Sequence, residues 1–163
     1  MTWIDVASVA LFVVVGYAES KRGFSPAVLD LLLVLLGLNV AKLLAGALQA
    51  SLGSQTVAFA VLFLVVVVVT AVLSTIFDTY TKWEIGPYDK TVAAVLGAVT
   101  GLAVAHGLYY AMALHGSGGH ALVARSMLAP EVYDLRTLHA IGSMFQHLGG
   151  GPRIVDEVNK QQK

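Results

Sequence analysis

Four ionisable side chains, Asp5, Asp30, Lys42 and His106, stand inside apolar stretches of this 163-residue chain. A charge at the centre of a bilayer costs about 2.5–3.5 kcal/mol even on the lenient insertion scale, so each group needs a partner, a route to water or a task. Lys42 and His106 are the deepest. The long stem of Lys42 can carry its ammonium toward the interface, and the alternative is pairing inside a bundle. His106 suits a neutral imidazole hydrogen-bonded between helices better than a proton relay. Asp5 and Asp30 fall near opposite interfaces, where a carboxylate is hydrated or partnered.

The remaining candidates for chemistry are thin. His115, His120, His139 and His147 match no compact ligand spacing, and no metal site is expected from them. There is no phosphate-binding glycine loop, no Gly-x-Ser-x-Gly elbow and no His-Glu-x-x-His, so neither catalytic residues nor a cofactor is expected. Cysteine is absent, which removes disulfides and thiolate chemistry. Ten basic residues balance ten acidic ones, so nothing draws the chain to a phosphate backbone and no nucleic-acid partner is expected.

The elements that must position these residues are written in the hydropathy. The chain is 57% hydrophobic and 12% charged, with a mean hydropathy of +0.77, and a water-soluble domain of this size could hardly sustain such a balance. Apolar stretches at about residues 2–18, 26–50, 55–79 and 91–114 are near the ~17–25 residues that span a bilayer. The opening stretch lacks the basic start and cleavage site of a signal peptide and is read as a retained, rather short span. The expectation is an all-α integral membrane bundle of about four transmembrane helices over residues 1–114. A flexible joint and short segment at 115–130 follow, with Gly116–Gly119 polar and Pro130 ending the segment. An amphipathic helix at 131–148 carries Leu135, Leu138, Ile141, Phe145 and Leu148 on one face, and 149–163 is a flexible tail. The lipid bilayer is the first partner.

Helix ends and seams are legible as well. Ser25 is placed to cap the second span with Pro26 in its first turn, and Asp89 to cap the fourth at Lys90 and Thr91, with an Arg22–Asp89 ion pair joining the two ends. Ala93, Gly97, Gly101 and Ala105 recur every four residues on the fourth span, and Gly37, Ala41 and Ala45 do so on the second. Such stripes let backbones approach, either inside the bundle or at an interface with a partner or a second copy. Lys21 and Arg22 in a loop at 19–25, and Lys82 and Lys90 in a loop at 80–90, mark both loops as cytoplasmic, although Arg125 opposes the bias. The amino and carboxyl termini are then expected to be periplasmic.

With these residues in view, the chain resembles the CvpA family, the colicin V production proteins of bacterial inner membranes. Ile4-Asp5, Arg22-Gly23-Phe24, Asp89-Lys90 with Ala93, Gly97 and Gly101, and Ser126-Met127-Leu128-Ala129-Pro130 are similar to the family's Ile-Asp, Arg-Gly-Phe, Asp-Arg-x-x-Gly-x-x-x-Gly-x-x-x-Gly and Ser-x-Leu-x-Pro, in that order. Ala93 stands for the first glycine, Lys90 for arginine and Thr100 for a frequent second arginine, and the tryptophan that usually precedes the serine is missing. The resemblance implies an inner-membrane protein linked to colicin V export and envelope homeostasis, with no catalytic residues to inherit. The leading expectation is therefore a non-enzymatic scaffold or accessory protein. The alternatives are a small transporter or channel lined by Asp5, Asp30, Lys42 and His106, or a fixed subunit of a larger membrane complex.

Overall fold

The structure, a computed structural model, describes residues 1–80 and 85–134. All regular structure among them is helical: α1 Trp3–Arg22, α2 Phe24–Leu52, α3 Gln55–Tyr80, a 3-10 turn Gly86–Tyr88, α4 Asp89–Leu114, α5 Ser117–Ala124 and α6 Ala129–Val132. Four of these are long and apolar enough to cross a membrane. The expected spans are present, and the protein is a multi-pass membrane protein.

The first span corrects its expected boundary. The charged residues predict a loop at 19–25, yet α1 runs on to Arg22. Glu19 and Arg22 are one turn apart and paired at 2.9 Å, and Lys21 lies over the Tyr17 ring, so these charges extend the helix instead of ending it. At 20 residues it reaches about 30 Å, the full hydrocarbon thickness. The break to α2 is one residue, Gly23, at φ 99°, a backbone conformation that side chains disfavour. Consequently Phe24 opens α2, and Ser25, expected as its cap, already lies within the first turn. Pro26 sits in that turn as well, where its missing N–H loses no helical bond. Gly53, in the left-handed conformation, ends α2 and begins the return into α3.

The bundle is built from two antiparallel pairs, α1 on α4 and α2 on α3, joined where α2 lies along α4. The small residues make the first pair possible. A Cβ at Gly101 would stand 2.8 Å from the Leu11 carbonyl oxygen and 2.9 Å from Phe12 Cα, so only glycine allows that backbone approach. In the second pair Gly37 receives Val66, while Ala41 and Ala45 pack with Ala58 and Phe59 in a buried cluster. Phe59 stacks with Phe63 and meets Tyr110 edge-on at 4.8 Å between ring centroids. Thr56 Oγ1 donates to the Leu114 carbonyl at 2.8 Å, satisfying an acceptor that the last turn of α4 leaves open.

The segment at 115–130, expected as a flexible joint followed by a short segment, is largely helical. Gly116 at φ 80° turns the chain, and α5 folds back onto α4. Its Gly119 lies against the Met112 carbonyl, too close for any side chain. Pro130 stands at the start of α6 rather than at the end of a segment, again using a position where an N–H is not needed. Val123, Ala129 and Val132 close over Ile4, Ala105 and Tyr109 in a second buried cluster. Most of the expected amphipathic helix, with Leu135 to Leu148, His139 and His147, and the tail lie outside the described residues, as does Lys82.

Candidate functional site

Buried polar side chains gather in three places, one at each end of α1 and one between α2 and α4. The first surrounds Asp5, in the first turn of α1 and wholly buried. Its Oδ2 accepts from the Thr2 backbone N–H at 2.6 Å and the Thr2 hydroxyl at 3.0 Å. Its Oδ1 accepts from the Leu128 N–H at 3.1 Å and from the Ser126 hydroxyl. Because Ser126 has a single hydroxyl hydrogen and gives it to Asp5, the Tyr109 hydroxyl, 2.6 Å from Ser126 Oγ and 3.2 Å from Asp5 Oδ1, donates into the same set. A carboxylate with donors on both oxygens tolerates burial that an isolated one would not. Of the two states expected for Asp5 near an interface, hydrated or partnered, the structure shows the partnered one, tying the start of α1 to α4 and to the chain 121 residues onward.

The second gathers at the other end of α1. Arg22 Nη1 donates to Glu19 Oε1 at 2.9 Å and to Asp30 Oδ2 at 2.6 Å, and its Nη2 donates to the Ser74 hydroxyl of α3. Gly97 of α4 completes the enclosure, since a Cβ there would stand 2.6 Å from Glu19 Cβ. Three spans, α1, α2 and α3, therefore meet at one guanidinium, and α4 packs against Glu19 beside it. Two carboxyl groups share that single cation, and Glu19 Oε2 and Asp30 Oδ1 remain buried without a hydrogen-bond partner. The expected Arg22–Asp89 pair does not form. Asp89 accepts instead from the Phe24 N–H and the Ile85 N–H, both at 3.2 Å. It thus caps α2 from across the bundle rather than its own helix, and a Cβ at Gly23 would stand 2.8 Å from its Oδ2. The open N–H groups of a helix accept an oxygen from any source that reaches them.

The third lies between α2 and α4. Lys42 Nζ is 2.8 Å from His106 Nε2, and His106 Nδ1 is 2.9 Å from the Val132 carbonyl oxygen. A carbonyl only accepts, so Nδ1 carries the hydrogen and Nε2 turns its lone pair to Lys42. Lys42 also faces the Tyr110 ring at 4.8 Å, and Tyr133 stacks on His106. The pair borders a cleft of about 200 Å³. Pairing inside the bundle is therefore the arrangement found for Lys42, and His106 bonds across to α6.

The four intramembrane groups are thus divided among three separate sets of partners: Asp5 in the first, Asp30 in the second, Lys42 and His106 in the third. Ala93, Gly97, Gly101 and Ala105 are all buried, with Gly97 and Gly101 turned to α1, so this stripe serves packing within the chain. Among the described residues no three metal-ligating side chains converge.

Sequence reasoning missed Glu19, Ser74, Tyr109 and Thr2. Ser74 and Thr70, four apart in the valine-rich third span and both buried, were a usable sign of an inward face. Glu19, three residues from Arg22, was another.

Neither the search of curated proteins nor that of solved structures returns a match. The sequence does match the family model described as Colicin V production protein over residues 4–137. That span contains every paired motif residue above, from Asp5 with Ser126 to Phe24 with Asp89, and on this ground the chain belongs to the colicin V production protein family.

Proposed function

We propose that this protein is a non-enzymatic accessory or scaffold protein of a bacterial inner membrane, linked to colicin V production or export and envelope homeostasis. The observation that carries the proposal is what the polar motif residues do. Asp5 fastens the start of α1 to Ser126 and Leu128, Arg22 fastens α1 to α2 and α3, and Asp89 fastens the Gly23–Phe24 link. Side chains used as braces leave a rigid body suited to holding partners. Both basic ends, near Gly23 and near Lys90, meet through the Asp89–Phe24 bond, which supports a cytoplasmic placement of that end and periplasmic termini.

Because the small-residue stripes are occupied within the chain, a partner meets other surfaces: the outer face of α2 and α3, or the chain beyond α4. Affinity purification from native membranes after crosslinking is expected to recover a defined membrane-protein neighbour or a second copy. A lone monomer in mild detergent, with no neighbour captured in the membrane, would remove the proposal.

The transporter reading draws support from the Lys42–His106 pair beside its cleft. Under that reading, reconstituted vesicles show solute or ion flux that Lys42→Ala or His106→Ala alters, and silence across a broad solute panel counts against it.

A further inference from the structure

Among the described residues, Lys42 carries the one ammonium more than a turn from the end of a spanning helix, and no carboxylate stands at ion-pair distance from it; the ion pairs belong to Arg22. Its neighbours, the Nε2 lone pair of His106 and the face of Tyr110, solvate a cation without neutralising it. Apart from Asn39, whose amide donates to the Leu35 carbonyl, the rest of the cleft is walled by apolar side chains, among them Leu35, Leu38, Val99 and Leu102. Leu35 and Val99 are exposed on the bundle surface, so the cleft opens sideways, toward lipid.

Depth follows from the helix lengths. Lys42 is ten residues short of the end of α2 at Leu52, and His106 eight short of the end of α4 at Leu114. With both helices longer than the ~30 Å core, the pair lies roughly 8 Å inside the hydrocarbon boundary. A phosphodiester drawn in locally, with its chain in the cleft, reaches that level. A free inorganic anion would have to leave water altogether to do so, and the lipid arrives laterally with its chains already in hydrocarbon.

We propose that the α2–α4 cleft is a binding site for one anionic phospholipid, its phosphate paired with Lys42 and an acyl chain along Leu35, Leu38, Val99 and Leu102. Charge complementarity selects the occupant: an anionic lipid completes the Lys42 site, whereas a zwitterionic one brings its own cation to a position already holding an ammonium. The proposal is independent of which protein partner the scaffold holds.

Native mass spectrometry of the full chain, released from micelles containing equal phosphatidylglycerol and phosphatidylcholine, tests it. One phosphatidylglycerol is expected to stay bound in about fivefold preference, the factor that one lysine contact of ~1 kcal/mol supplies. Lys42→Met is expected to abolish the preference and Lys42→Arg to keep it, with helicity by circular dichroism showing that each variant is folded. Leu102→Trp, which fills the cleft and leaves the charge, is expected to expel the lipid. Equal retention of the two lipids by the unaltered chain would overturn the proposal without any variant. Unchanged preference in Lys42→Met would do the same by assigning it to Lys21, Arg22 or Lys90, as would displacement of the lipid by inorganic phosphate alone.

Discussion

The two ends of α1 hold acids of opposite standing. Asp5 has donors on both carboxylate oxygens, drawn from Thr2, Tyr109, Ser126 and Leu128. At the other end Glu19 and Asp30 divide one guanidinium, and each keeps a buried oxygen without a partner. One end is saturated in donors and the other is short of them. A saturated set resists any substitution of its acceptor, whereas a set short of donors depends on its single cation and tolerates the loss of an acceptor. The same helix is therefore anchored in two ways, by a carboxylate that collects hydrogen bonds and by a cation that collects carboxylates.

That contrast is broken most severely at Arg22. Arg22→Gln leaves two buried carboxyl groups without their shared cation, and the expected loss is about 3–5 kcal/mol in unfolding measured in detergent by circular dichroism. Asp30→Asn on the Arg22→Gln background is expected to recover part of it. A double-mutant cycle with no coupling between positions 22 and 30 would show that the pairing contributes nothing to stability.

The Arg22 set also shows how far the sequence reaches. The period-four stripe from Ala93 to Ala105 was readable as a packing seam because its spacing is that of one helix face, and every member is buried. Helix number was readable because lipid demands long apolar stretches. The partner of Arg22 was not. Spacing alone placed Arg22 and Asp89 at the same end of the bundle, and they are indeed near one another. However, the one-residue link at Gly23 continues α1 through Arg22, so its side chain turns inward to Asp30, while Asp89 is taken by the Phe24 and Ile85 N–H groups. Nor does any local pattern join Asp5 to Ser126. That bond depends on α5 folding back over α4, a reversal set by Gly116 and by the close approach of Gly119 to Met112.

Asp5→Asn probes the saturated end and is expected to cost about 2–3 kcal/mol, the range for losing hydrogen bonds to a charged acceptor. If the amide oxygen stays toward Ser126, Tyr109 and Leu128, the new NH2 group faces the Thr2 N–H, whose partner Oδ2 now stands at 2.6 Å. If the amide flips, the NH2 group faces the Leu128 N–H instead, and the Ser126 and Tyr109 hydroxyls must turn from donating to accepting. Either orientation leaves donor against donor, so no rotamer of asparagine rescues the set. Loss of protection at the Leu128 amide in hydrogen exchange is the expected local sign, and a variant as stable as the parent would show that Asp5 is not an anchor.

Glu19→Gln is the smallest expected effect and the one that sharpens the comparison. Glutamine keeps an oxygen for Arg22 and places an NH2 group where Glu19 Oε2 has no donor, beside a set in which Asp30 Oδ1 also lacks one. Replacing one of the two carboxyl groups leaves Asp30 in undivided possession of the guanidinium, 2.6 Å away. The weakened Arg22–Glu19 bond and the relieved acceptor excess oppose each other, and the net change is expected to stay under about 1 kcal/mol of either sign. Measured beside Asp5→Asn under the same detergent conditions, the same acid-to-amide change is predicted to give a large loss at one end of α1 and almost none at the other. Equal losses would mean that buried acids at both ends are held alike, and the distinction between a saturated anchor and one short of donors would fall.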